Sequence, residues 1–135
     1  MATFRIKYRE VCPVPSINLI LTHSKKRLKK LYRKFGVPER EANNLRAKAT
    51  TSYLESKDSM SDDYFIVWMT PNLEMSAAMD AGILAHEATH IAQDYLASIG
   101  EDKPSPEFEA YIVGFVTQEL VRKHFKWKKK RLADS

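Results

Sequence analysis

Residues 72–99 read NLEMSAAMDAGILAHEATHIAQDYLASI. No proline interrupts it, and Gly100 follows as a typical C-terminal stop, so the sequence predicts one long helix. An apolar stripe at helical spacing runs into two histidines: Met75, Met79, Ile83, His86 and His90. Alanines at many other positions keep the helix slim, which predicts that it is buried between other elements.

The helix carries the motif H-E-x-x-H at His86, Glu87 and His90. Histidines four positions apart lie on one helix face, close enough for both imidazoles to reach one zinc ion. The glutamate beside the first histidine can act as general base on a water held by the metal. The alternative is a helix with two solvent-facing or capping histidines. We expect the metal site, because two histidines on an inward stripe need partners and a metal satisfies both.

A zinc hydrolase needs a third protein ligand and one position left open for water. A second helix is predicted to begin near Pro106, and Glu107 falls in its first turn, where the helix dipole favours a carboxylate. Glu109 shares a stripe with four apolar residues of that helix, and a carboxylate on a core-facing stripe requires a cation or a metal. We therefore expect Glu109 as the third ligand, with Glu107 as the alternative.

Four residues have the chemistry to donate to an oxyanion, and the sequence does not choose among Tyr111, His23, His124 and Tyr95.

HEATH followed by EAYIVGFVTQEL resembles the gluzincin-type metallopeptidases, in which H-E-x-x-H on one helix is completed by a glutamate on the next. It looks like the small, poorly characterised metallopeptidases encoded by bacteriophages and prophages. The resemblance covers about residues 64–122. It implies zinc binding by His86, His90 and Glu109, and hydrolysis of peptide bonds with Glu87 as the base. Thermolysin-like members have an acidic residue four positions after the ligand glutamate, where this chain has Val113.

The N-terminal half predicts a small sheet. Four segments have the alternation or the β-branched and aromatic content of strands: residues 4–8, 17–21, 50–54 and 64–70, the last two as an antiparallel pair. Residues 24–35 predict an amphipathic helix, and residues 39–48 a short helical piece. The resemblance to the metallopeptidases implies that the strand at 64–70 lies beside the cleft, where an extended peptide substrate could add to its edge. Alternatively, this apolar strand is simply buried core.

The expected fold class is thus α+β: a small, mostly antiparallel sheet packed against two zinc-binding helices, a minimal zincin-like arrangement. We expect a single domain over residues 1–125, followed by a basic tail at 126–135. The 44% hydrophobic and 29% charged content is ordinary for a globular protein, and no apolar run approaches the length of a membrane span. The chain has no signal-peptide pattern, and its single Cys12 excludes an intrachain disulfide, which favours the reducing cytoplasm.

Charge is distributed unevenly. Residues 55–109 hold 12 acidic and 2 basic residues, whereas the rest of the chain holds 5 acidic and 20 basic ones. The run 123–131, with Trp127 within it, could contact nucleic acid or an acidic protein partner, although a solvated exposed terminus is the simpler explanation. An alternative function is therefore a non-catalytic module that keeps the zinc-peptidase scaffold for binding. A third is a deformylase-like amidase, for which Cys12 is the only candidate thiolate ligand. The natural substrate and the oligomeric state stay open.

Overall fold

The computed structural model describes residues 2–6, 17–38, 40–43, 47–55 and 63–134. The chain divides into two compact units, Met1–Pro71 and Asn72–Ser135. Within the described residues the first unit holds β1 (Ala2–Ile6), β2 (Ile17–Thr22), α1 (Lys25–Lys34), α2 (Arg40–Asn43), β3 (Ala49–Leu54) and β4 (Tyr64–Met69). The second holds α3 (Ala77–Ser98) and α4 (Pro106–Asp134). The α+β class expected from the sequence is confirmed.

The first unit is built on a mixed sheet with strand order β1-β2-β4-β3. The β1–β2 and β3–β4 pairs are antiparallel, the second as predicted, whereas β2 and β4 run parallel. In the β3–β4 pair Tyr53 lies opposite Phe65, and their rings stack with centroids 4.7 Å apart. β4 therefore has a strand on each side and no free edge, so the expectation that it binds an extended substrate is wrong. Its apolar side chains are buried core instead.

α1 is amphipathic because its apolar residues recur at helical spacing between lysines and arginines. Its N-terminus is capped by Ser24, whose Oγ accepts a hydrogen bond from the Arg27 N–H. Leu28 and Tyr32 on its buried face share a hydrophobic cluster with Ile66 in the sheet. The prediction of this helix is confirmed.

The second unit is a helical hairpin. Ser76 caps α3 by accepting from the Met79 N–H, and the helix ends where Gly100 adopts a φ of 82°. Ser105 caps α4 through the Phe108 N–H. Apolar stripes on the two helices are fully buried: Leu84, Ala88, Ile91 and Ala92 on α3, and Ile112, Val116 and Leu120 on α4.

Both helices of the second unit were predicted, but α4 is longer than expected. It continues to Asp134, so residues 126–134 are helix, and the boundary expected after residue 125 falls inside it. In the part of the chain that the structure describes, none of the helices combines the length and the apolar character needed to cross a membrane.

Candidate metal centre

The two histidines of the H-E-x-x-H motif lie together on α3. Their Nε2 atoms are 3.1 Å apart and their ring centroids 4.8 Å apart, with the rings nearly perpendicular. Two imidazoles that bind one tetrahedral zinc ion at about 2.0–2.1 Å have their nitrogens about 3.3–3.4 Å apart. The spacing of His86 and His90 therefore fits two ligands of a single ion.

The prediction that these histidines lie on an inward stripe is wrong. His86 and His90 are exposed, and Met79 on the same stripe is 49% exposed. The buried stripe of α3 is the one that holds Leu84, Ala88 and Ile91, on the other side of the helix. The sequence misled because the buried side of α3 combines large apolar residues with two alanines and with the acidic Asp80 and Glu87, so it does not form an evident apolar stripe. The two larger apolar residues Met75 and Met79 drew the stripe to the wrong side.

Glu87 lies on a different surface from the histidines. Successive helical residues are separated by about 100° around the axis, so the residue after His86 points well away from it. The Glu87 side chain is only 5% exposed and belongs to the buried part of α3. The base expected next to the metal is therefore at the boundary between the packed side of the helix and its exposed histidine side.

Glu109 is not brought to the histidine pair. Asp80 meets His124 at 3.0 Å, and this contact marks where the antiparallel helices are level. A helix rises about 1.5 Å per residue. Measured from the Asp80–His124 contact towards the connecting loop, His90 therefore lies about 15 Å along α3 and Glu109 about 22 Å along α4. Side chains lean towards the N-terminus of their own helix. The His90 side chain therefore leans away from the loop and the Glu109 side chain towards it, which increases their separation.

The third ligand thus has no counterpart in the structure as described. Glu109 is half-buried and Glu107, the alternative, is exposed in the first turn of α4. Among the described residues, no three histidine, cysteine, aspartate or glutamate side chains come together as a group that could hold a metal ion. Cys12, the ligand that a deformylase-like site would need, lies outside the described residues.

A buried polar network that the sequence analysis missed joins α3 to α4. Asp80, which is 1% exposed, receives a hydrogen bond on Oδ2 from Lys128 Nζ at 2.7 Å, and His124 Nε2 lies 3.0 Å from the same oxygen. Lys128 Nζ also donates to the Met75 carbonyl at 2.6 Å. The ammonium thus compensates a carboxylate that would otherwise be a buried, uncompensated charge. His124 is 0% exposed, so it is not available as an oxyanion donor.

A signal for this network exists in the sequence. The buried residues of α4 recur every fourth position, and His124 and Lys128 continue the stripe of Ile112, Val116 and Leu120. Composition alone marks the run 123–131 as basic and does not distinguish its buried residues from its exposed ones. The four-residue period separates Lys128, which is 8% exposed, from its exposed neighbours Lys126, Lys129 and Lys130.

Three comparisons with known proteins found no relative of this chain. No model of a protein family matches the chain. No curated protein and no solved structure matches it either.

Proposed function

We propose that this chain is a zinc-dependent hydrolase, most simply a peptidase acting on peptides or proteins. The observation that supports it is the 3.1 Å separation of His86 Nε2 and His90 Nε2 on an exposed helix face, within a sequence that places a glutamate beside the first histidine. Two neutral imidazoles are suitable ligands for Zn²⁺. A bound zinc ion would supply a water whose pKa is lowered to about 7.

The residues of the chain then have distinct tasks. His86 and His90 would hold the ion through both Nε2 lone pairs, in place of the hydrogen bond that now joins the rings. Glu87 would act as general base on the water and then as general acid towards the leaving amine. Because the Glu87 carboxylate is buried, it has to turn outwards past Ile83 or His90 to act, and we expect this rotation to limit the rate.

Metal analysis and activity measurement on the same variants test the proposal. Wild type should bind zinc and hydrolyse peptides from a broad library. Glu87→Gln should keep the zinc and lose turnover by a factor of about 10² or more, because only the base is removed. His86→Ala should lose both. Glu87→Gln with full activity, or wild type without zinc, would contradict the proposal.

Zinc analysis of Glu109→Ala tests separately whether Glu109 is the third zinc ligand. The helix register leads us to expect that it keeps zinc, because Glu109 lies about a turn and a half beyond His90 along the hairpin. Loss of zinc in this variant, with retention in the matched variant Glu107→Ala, would instead make Glu109 a ligand. In that case the hairpin must shift when the metal binds.

A second candidate function is a non-catalytic zinc module that binds nucleic acid. Two observations favour it: the buried position of Glu87, and the exposed cations on α4 at Lys126, Lys129, Lys130 and Arg131. Binding through phosphates weakens steeply with salt, because counterions are released. Salt-dependent binding of duplex DNA that is lost in Lys126→Glu/Lys130→Glu, together with no peptide turnover, would favour this function over the hydrolase.

A further inference from the structure

His86 and His90 could supply half of the ligands of a zinc site. A structural zinc ion takes four protein ligands in a tetrahedral arrangement. His86 and His90 supply two of them at a spacing that fits, and the described residues bring no third ligand to the pair. Both rings are exposed, so the remaining positions of an ion bound there would face outwards and could be reached by another molecule.

The helix face around the pair suits a second helix of the same kind. Its exposed members are small or uncharged, namely Met79, Gly82, His86, His90, Gln93 and Ala97. Of the charged residues of α3, Asp80 and Glu87 are buried and only Asp94 is exposed. Two copies of this face therefore meet with little charge repulsion.

Gly82 is the second unusual feature of this face. It lies one turn before His86, inside a helix, where glycine is unfavourable. Among the described residues no atom lies within 4 Å of a Cβ built at this position, so no contact there accounts for the glycine. An exposed glycine beside the histidines leaves the room that a closely approaching helix needs.

We infer that a second copy of this chain completes the site, with His86 and His90 of each copy binding one zinc ion across a two-fold axis. In such an isologous contact the same residues serve on both sides, so two ligands per chain give the four that zinc requires. The inference rests on the zinc-binding part of the proposed function. With four imidazoles bound, no position would be left for water, so the dimer would be an inactive form of the hydrolase.

The test is the mass and zinc content of the full chain, measured by light scattering and metal analysis during titration of stripped protein with Zn²⁺ alone. We expect the mass to double at one zinc ion per two chains, and a chelator to reverse it. His86→Ala and His90→Ala should stay monomeric at every zinc concentration.

A matched pair of glycine variants separates dimerisation from metal binding. Gly82→Arg should remain monomeric and bind one zinc ion per chain, because the side chain blocks the approach of the second helix but leaves the histidines. Gly114→Arg, at an equally open glycine on α4, should dimerise as the wild type does.

The outcomes distinguish this inference from the function on which it rests. A monomer that binds one zinc ion per chain at all concentrations overturns the dimer but leaves the zinc hydrolase standing. Absence of zinc binding overturns both. A dimer that persists in chelator or in His86→Ala overturns the bridging role of the histidines, as does unimpaired zinc-dependent dimerisation of Gly82→Arg.

Discussion

Lys128→Met tests the buried network that joins the two long helices. Lys128 donates to Asp80 Oδ2 at 2.7 Å and to the Met75 carbonyl at 2.6 Å, and the methionine replaces its aliphatic part without its charge. The Asp80 carboxylate is then left buried with His124 at 3.0 Å. We expect a large loss of stability from this one substitution.

The magnitude follows from the burial of the pair. Removing one partner of a buried ion pair costs about 3–5 kcal/mol, because the other charge is left uncompensated. Since His124 still contacts the Asp80 carboxylate, we expect the lower end, about 3 kcal/mol. Urea unfolding followed by far-UV circular dichroism measures it. With a slope of about 2 kcal/mol per molar urea, the midpoint should fall by about 1.5 M.

The matched control is Lys129→Met, which removes the same group from the exposed neighbouring position and should change stability by no more than about 0.5 kcal/mol. In the background of Asp80→Ala, Lys128→Met should cost much less than in the wild type, because the two residues are coupled. Equal costs for Lys128→Met and Lys129→Met, or additive costs for the Asp80 and Lys128 substitutions, would contradict a stabilising pair between Asp80 and Lys128.

The remaining predictions concern helix ends and glycines. Gly82→Ala should stabilise the chain by about 0.5–1 kcal/mol in thermal unfolding, because the added methyl group meets nothing and alanine favours the helix; a lower midpoint would show that the position is constrained in the single chain. Gly36→Ala should have the opposite sign, a loss of about 1 kcal/mol or more, because Gly36 has a φ of 76°. Ser76→Ala should cost about 1 kcal/mol through loss of the cap on the Met79 N–H, whereas Ser98→Ala, exposed at the other end of α3, should cost under about 0.5 kcal/mol. Similar losses for these two serine variants would contradict a specific capping role.

Local chemistry made much of the fold predictable. Ser24 caps α1, and Gly36 and Gly100 take positive φ values just after helix ends, so these boundaries follow from residue type. The start of α3 was placed too early, because its cap Ser76 lies inside the stretch 72–99 that was expected to be helical throughout. The antiparallel pairing of β3 with β4 followed from two β-rich segments joined by a polar loop. The parallel pairing of β2 with β4 did not, because it joins strands distant in sequence and leaves no local pattern.

The candidate site was predictable only in part. The spacing of His86 and His90 guarantees that they meet on one helix face, and the 3.1 Å contact agrees with this. Whether that face is buried depends on which side of α3 meets its neighbours. The packed side combines apolar residues with the acidic Asp80 and Glu87, so the sequence pattern does not identify it as the buried side. The position of Glu109 relative to the pair depends on the register of the hairpin, which eighteen residues of intervening sequence do not fix.

Most helix and strand positions, and the meeting of His86 and His90 on one helix face, follow from interactions within a few residues along the chain and could be predicted from the sequence. The tertiary structure alone decided that Asp80, His124 and Lys128 form a buried network and that the histidines face outwards. Asp80 and Lys128 are 48 residues apart, and their attraction becomes important only once packing has removed them from water. The packing of α3 therefore leaves the two histidines of the H-E-x-x-H motif on the exposed side of the helix.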